Sequence, residues 1–416
     1  MYSFPKAFQA FSHKEFRRFY IGSIAAQLGF WFSHISYQAL MADLTNDELW
    51  VSMLFVVTFL PVLCIGPFGG LLADRLDRKK LLLWTYGALM IISIIQVTLV
   101  AVNVISPVLL LVTSFFVGLV MAVLGPVVQA VTANTVPSED LSSAVSLQAM
   151  ASNASRVLGP ALAAPLVRNN MFEISWSLYG VGLGLALLIA TGITLFPYQP
   201  EIETVPITKR LLAGVHHARE REPAMNALLL VGVISIFGVS HVVLTPSFTN
   251  DTLNRATADF AWLGAATGFG ALIGALAAGS FAQKASLLRG ASLAIPYCLG
   301  LAVFSRVTDF LIALLLQIFV GFFYIASFTT LQVVVQEVVD DNFRGRVMSL
   351  FQIAWAGLVP IGSLVMGLMA SEYGLGLGSA DTIGLTALIC LGYVIWVVIS
   401  TYSRSLNPFP RRSKRD

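Results

Sequence analysis

Long apolar runs alternate along the chain with short polar ones. "VSMLFVVTFLPVLCIGPF" (51–68) leads into the charged "GGLLADRLDRKK" (69–80), and "LLLWTYGALMIISIIQVTLVAV" (81–102) follows. Unbroken apolar runs of roughly 20 residues suit helices that cross the hydrocarbon core of a bilayer; barrel strands would read as alternating segments of about ten. Twelve spans are expected, at 20–42, 50–72, 81–102, 107–130, 142–167, 174–196, 225–248, 259–282, 287–306, 309–336, 343–370 and 382–403. The fourth and fifth are divided only by "TVPSEDLSS", the tenth and eleventh only by "EVVDDNFRGR".

Composition agrees with lipid as the solvent. The 416 residues are 57% hydrophobic and 11% charged, against about 25% charged in a soluble domain. Mean hydropathy is +0.80. In hydrocarbon every backbone polar group needs an internal partner, so the pattern predicts an all-α membrane protein. The net charge of +3 says little, but its placement says more. Of the 25 Lys and Arg, 21 fall on one expected side: the N-terminus, the 2–3 loop, the central linker, the 8–9 and 10–11 loops and the tail. Arg168, Arg255 and Arg306 fall on the other, and Arg156 lies inside a span. By the positive-inside rule the basic side is cytoplasmic, which puts both termini there.

Residues 197–223, "PYQPEIETVPITKRLLAGVHHAREREP", are the longest polar stretch and divide the spans six and six. Leu211, Leu212, Val215 and Ala218 form one apolar face there, as in a helix lying at the membrane surface. The expected units are a six-helix bundle over 1–196, the linker over 197–223, a second bundle over 224–403 and a basic tail over 404–416. The halves echo each other: at one offset Gln129 meets Gln332, Ser146 meets Ser349, Leu147 meets Leu350 and Gly159 meets Gly362, and "FSHI" (32–35) finds "VSHV" (239–242). Two such repeats form a transporter architecture with its substrate site between them.

With these features in place, "GGLLADRLDRKK" resembles the signature loop of the major facilitator superfamily, with Gly70, Asp74, Arg75, Arg78 and Lys79 in the family positions. Asp77 stands where the family usually has glycine. The resemblance implies a fold of 12 transmembrane helices in two pseudo-symmetric bundles. It also implies a conformational latch. Asp74 would cap the N-terminus of helix eleven, where an anion gains from the helix dipole, and Arg75 and Arg78 would reach Glu139 or Asp140. The matching stretch of the second half, "GALAAGSFAQKA", lacks the acid and the arginines, so the latch is one-sided. The segment "PSEDLSSAVSLQAMASNASRVLGPALAA" resembles a subgroup of bacterial exporters that includes the enterobactin exporter and drug efflux proteins. Asn153, Arg156, Gly159 and Pro160 carry that likeness, while Ala163 and Ala164 replace the glycines of the helix-five motif.

Arg156 is a mid-span charge, and such residues face a cavity or a partner. It reads equally as an anchor for an anionic substrate group, as a gate partner, or as a structural residue held by Asn153 and carbonyls. His34 and His241 take corresponding places in helices one and seven, where a proton carrier, a substrate contact or a plain hydrogen-bonding role all fit. Tyr37, Gln38, Gln332 and Trp355 add polar or aromatic edges in spans, as cavity linings and packing seams both require. No carboxylate lies deep in a span, so Asp43, Glu337 or the histidines must carry any coupling proton.

The function expected is a proton-coupled exporter of a small amphipathic organic molecule, siderophore-like or drug-like, working by alternating access. An importer or lipid flippase on the same scaffold, and a non-transporting receptor or assembly protein, stand as alternatives. An intramembrane enzyme is disfavoured, because no nucleophiles, carboxylates or metal ligands converge in the spans. There is no phosphate-binding loop for ATP. Cys64, Cys298 and Cys390 stand alone in apolar runs and read as small buried hydrophobes, not metal ligands. No cofactor, metal or nucleic-acid partner is expected. The chain is expected to sit as a monomer in a bacterial cytoplasmic membrane, and its N-terminus reads as an amphipathic lead-in, not a cleaved signal.

Overall fold

The computed structural model describes residues 6–197, 207–282 and 285–406. All elements among them are helical. The first half contains α1 (Lys14–Thr45), α2 (Glu48–Arg75), α3 (Arg78–Ala101), α4 (Pro107–Ala133), α5 (Leu141–Arg168) and α6 (Phe172–Thr191). The linker contributes α7 (Ile207–Glu220). The second half contains α8 (Glu222–Phe237), α9 (Thr245–Asp251), α10 (Phe260–Ala282), α11 (Leu287–Phe304), α12 (Phe310–Val338), α13 (Asp341–Gln352), α14 (Val359–Ala370) and α15 (Gly378–Leu406). Among the described residues, ten segments are long and apolar enough to cross a membrane. α1 and α5 are as long but more polar, carrying Ser23, Gln27, His34, Gln38 and Ser143, Gln148, Asn153, Arg156 respectively. The outward faces are hydrocarbon: Ile91, Ile94, Val181, Leu188, Leu276 and Leu311 are all well exposed. An exposed apolar belt of this kind belongs against lipid.

Local chemistry sets where each helix starts and turns. Asp47 accepts from Leu49 N at 2.8 Å, Asp77 from Lys80 N at 2.9 Å and Asp309 from Ile312 N at 2.9 Å, which satisfies donors that a helix start leaves orphaned. Ser106 and Ser286 cap α4 and α11 in the same way. At the end of the bundle away from the Lys/Arg-rich loops, successive hairpins turn through Asn46, Asn103, Asn170 and Asn254, each with positive φ. Asparagine enters that left-handed region more readily than other side-chain-bearing residues. The remaining positive-φ residues, Gly376 and Gly378, turn the last hairpin at the same end.

Packing repeats between the halves. α2 crosses α4 closely in the first, and α10 crosses α12 in the second. At each crossing a glycine meets a threonine carbonyl: a Cβ on Gly118 would lie 2.3 Å from Thr58 O, and one on Gly321 would lie 2.0 Å from Thr267 O. Small residues let membrane helices approach through van der Waals contact, where no hydrophobic force drives them together.

Two expected spans are not single helices. Helix seven breaks after Phe237 into a 3₁₀ stretch, Val239–Leu244, before resuming as α9. Helix eleven passes through a π-helical segment, Ile353–Gly357, between α13 and α14. The breaks adjoin, for Ser240 Oγ donates to Ser235 O at 2.9 Å and to Val359 O at 3.2 Å. Helices one and five, by contrast, run unbroken.

In the linker helix Leu212 is 68% exposed. Gly214, His217 and Ala218 are buried, because α7 lies along α13: His217 stacks on Phe343 at 4.3 Å and Gly214 abuts Arg346. Arg221 holds Asp340 through both carboxylate oxygens, at 3.0 and 3.1 Å. Leu211 and the basic tail lie outside the described side chains.

Candidate functional site

Contacts between the halves run from the middle of the bundle toward the end away from the Lys/Arg-rich loops. There Ser371 Oγ donates to Asp47 Oδ2 at 2.7 Å, and Arg168 pairs with Asp259 at 3.7 Å. Ser52 nests against Gly367, and Val157 and Pro160 of α5 pack on Gly268 and Gly264 of α10.

Arg156 sits at this junction. Its Cζ lies 5.0 Å from the Trp31 ring centroid, in the first half, and 5.7 Å from the Trp355 ring, in the second. Trp355 stands in the π segment, donates to Tyr324 OH at 2.5 Å and packs at a tilt against Phe328, ring centroids 4.8 Å apart. One turn beyond Arg156, Gly159 lets α5 reach α1, since a Cβ there would lie 2.6 Å from Trp31 Cβ. Arg156 Nε is sealed from solvent without a hydrogen-bond partner, and no ion pair holds the guanidinium among the described residues. Two indole faces are its cationic company, an arrangement that is favourable but leaves its hydrogen-bonding capacity unused. Behind Trp355 lies a small cavity of about 10 Å³, room for roughly one water. It is walled by Tyr297, Tyr324 and Ser235, and the Tyr297 and Ser235 hydroxyls have no partner.

The remaining candidates scatter. His34 is buried in a box of Phe30, Trp31, Phe55 and Phe59 with neither ring nitrogen bonded. His241 uses Nδ1 toward Gly238 O at 2.7 Å, at the helix-seven break, and lies 3.5 Å from the Gln317 amide. Tyr37 faces the interior of the first half, donating to Gln96 Oε1 and packing at a tilt against Trp176. Gln38 is buried with its carbonyl oxygen unpaired. Asn153 is exposed and bonds its own helix at Ala149 O, 2.9 Å away. Gln332 is partly buried on α12. Asp43 and Glu337 are exposed near the ends of α1 and α12. Trp31 and Tyr324 therefore stand with Arg156 and Trp355 at this junction. Among the described residues no cluster of His, Cys, Asp or Glu suits a metal.

The signature loop is engaged differently from the closed latch. Asp74 is half exposed, and its ion pair is with Arg78 at 3.6 Å. Arg78 also donates to Asn134 Oδ1 at 2.5 Å and to Ala73 O at 3.1 Å. Asp140 is held by His13 Nε2 at 2.6 Å. Arg75 and Glu139 are exposed without a partner among the described residues. Lys79 closes the C-terminal end of α6, donating to Thr191 O and Ile193 O at 2.7 and 2.8 Å, where a cation suits the dipole. Gly70 has open space where a Cβ would stand.

A family model described as transmembrane secretion effector matches residues 6–412. The Staphyloferrin A transporter of Staphylococcus aureus is 22% identical over 386 residues, covering 91% of this chain and 95% of the relative. Macrolide efflux protein A of Streptococcus pyogenes is 26% identical over 369 residues, covering 85% of this chain and 88% of the relative. Enterobactin exporter EntS of Shigella boydii is 29% identical over 221 residues, covering 52% of this chain and 51% of the relative. A crystal structure of a D-xylose-proton symporter superposes with a TM-score of 0.70 at 12% identity, covering 92% of this chain and 97% of that one.

Proposed function

Because the chain belongs to the transmembrane secretion effector family of major facilitator transporters, we propose that it is a proton-driven exporter of an amphipathic organic molecule. The reading takes twelve spans in two bundles, 1–196 and 224–403, with both termini in the cytoplasm and a single chain as the working unit. The substrate binds between the halves, around Arg156, Trp31, Trp355 and Tyr324. The observation that carries the reading is this junction, where a guanidinium of one half is covered by an indole of the other. A rocking motion that separates the halves necessarily uncovers it. Relatives named as an exporter and an efflux protein support the outward direction.

On this reading the structure is the inward-facing state. The halves meet at the outer rim through Asp47–Ser371 and Arg168–Asp259, while at the inner rim Asp74 pairs only with Arg78 of its own loop, and Arg75 and Glu139 are exposed without a partner among the described residues. Closing the inner rim brings Asp74 to the start of α13 and the arginines toward Glu139 and Asp140, in exchange for the His13 contact. His34 carries the coupling proton: an outward swing of the halves parts Phe55, against which its ring lies, from Val243 and Leu244 of the second half and gives water a path to the imidazole.

Everted membrane vesicles bearing the chain, given a cell extract and an acidic lumen, test the reading. At least one organic solute should accumulate in the lumen, and a protonophore should abolish the accumulation. Accumulation only in right-side-out vesicles would make the chain an importer, and accumulation indifferent to the protonophore would remove the proton.

A further inference from the structure

We infer that the ligand of the Arg156 site is an organic anion: an oxyanion group, such as a carboxylate, beside a flat apolar or aromatic body. The inference rests on the substrate site proposed above and adds its chemical selectivity. Arg156 is a planar, permanently charged fork of donors. Its Nε has no partner, and no carboxylate of the described chain neutralises it. Arg156 is partly buried with its Nε sealed from solvent; a cation withdrawn from water without a protein partner is costly, and it persists where an incoming group completes it. The two indole faces at 5.0 and 5.7 Å hold the guanidinium but satisfy none of its N–H groups. A carboxylate offers what they lack, two parallel charge-assisted hydrogen bonds in the plane of the fork. The same indoles then serve as walls for the body of the ligand.

Three features fit the exchange. Trp355 belongs to a π-helical segment, a backbone form with an extra residue per turn that can shift register locally. Its indole N–H is fixed on Tyr324 OH at 2.5 Å, so the ring is presented to Arg156 by its face. The Tyr297 and Ser235 hydroxyls behind it, both buried and unpartnered, offer neutral hydrogen bonds to a second polar group. The site selects against cations by the same charge.

The test uses full-length protein in lipid nanodiscs and a matched pair of probes, benzoate and benzamide, titrated calorimetrically. Benzoate should bind more tightly than benzamide by about tenfold or more, as expected of a charge-assisted bidentate pair, and its affinity should fall as salt rises. Arg156→Gln should erase the preference, so that benzoate binds no more tightly than benzamide, and Arg156→Lys should keep part of it. Trp355→Leu should weaken both probes, which separates the wall from the charge should the arginine variants fail to fold. Equal affinities in the unaltered protein, a preference that survives Arg156→Gln, or an absence of benzoate binding would overturn the inference. A protein that binds benzoate yet moves nothing in everted vesicles would overturn the exporter reading alone. One that exports a neutral or cationic solute without needing Arg156 would overturn this inference alone.

Discussion

Asp77 shows how a departure from a family pattern can have a local cause. Its carboxylate accepts from Lys80 N and starts α3, a task glycine in that position performs less well. Asp77→Ala should lower stability by about 0.5–2 kcal/mol, and Asp77→Gly by only a few tenths, as read from thermal unfolding in lipid. Arg156 was legible in the sequence as a charge in mid-span. Trp355 was legible as an aromatic edge, but its meeting with Arg156 and Trp31 was not, because the three come together through tertiary packing from places far apart along the chain. Tyr37 and Gln38 show the converse. α1 is buried on nearly every side over residues 32–42, so polarity alone does not tell which of its residues face a chamber and which face Gln96 and Trp176.

Among elements, the glycine-threonine crossings decide how close the helices come. A methyl group at Gly321 would stand 2.0 Å from Thr267 O, and backbone does not yield as a side chain does. Gly321→Ala should therefore cost on the order of 1–3 kcal/mol through forced separation of α10 and α12. Gly70→Ala, which meets nothing in this state, should unfold at the unaltered temperature. Parallel thermal melts of the two variants check the contrast. The apolar runs announced these helices well, since length and hydropathy depend only on local sequence. The discontinuities of helices seven and eleven left little mark: "FGVSHVVL" and "IAWAGLVP" are apolar enough to pass for continuous spans, and the cue was a glycine beside small polar or bulky aromatic residues. The left-handed asparagines of the hairpins were likewise visible as residues but unassigned as turns.

For the whole molecule, the question is which rim is shut. The repeat and the charge bias were readable from sequence, whereas the state is a property of contacts between halves, which no single stretch encodes. Cysteines at Asp47 and Ser371, whose side chains meet at 2.7 Å, should cross-link under mild oxidation in a background lacking Cys64, Cys298 and Cys390. Accumulation in everted vesicles should then stop and return on reduction. Failure of the pair to cross-link would mean that these residues do not meet in the membrane, and transport that continues through a formed link would mean that this rim does not open during turnover.

The uneven distribution of helix breaks has a mechanical corollary. Both discontinuities belong to the second half and touch one another through Ser240 and Val359, while α1 and α5 opposite them are unbroken rods. In the proposed cycle the first bundle acts as the stator and the second as the flexing arm. Distances between spin labels placed wholly within α1–α6 should hold constant through the cycle, and those spanning α8 to α14 should not.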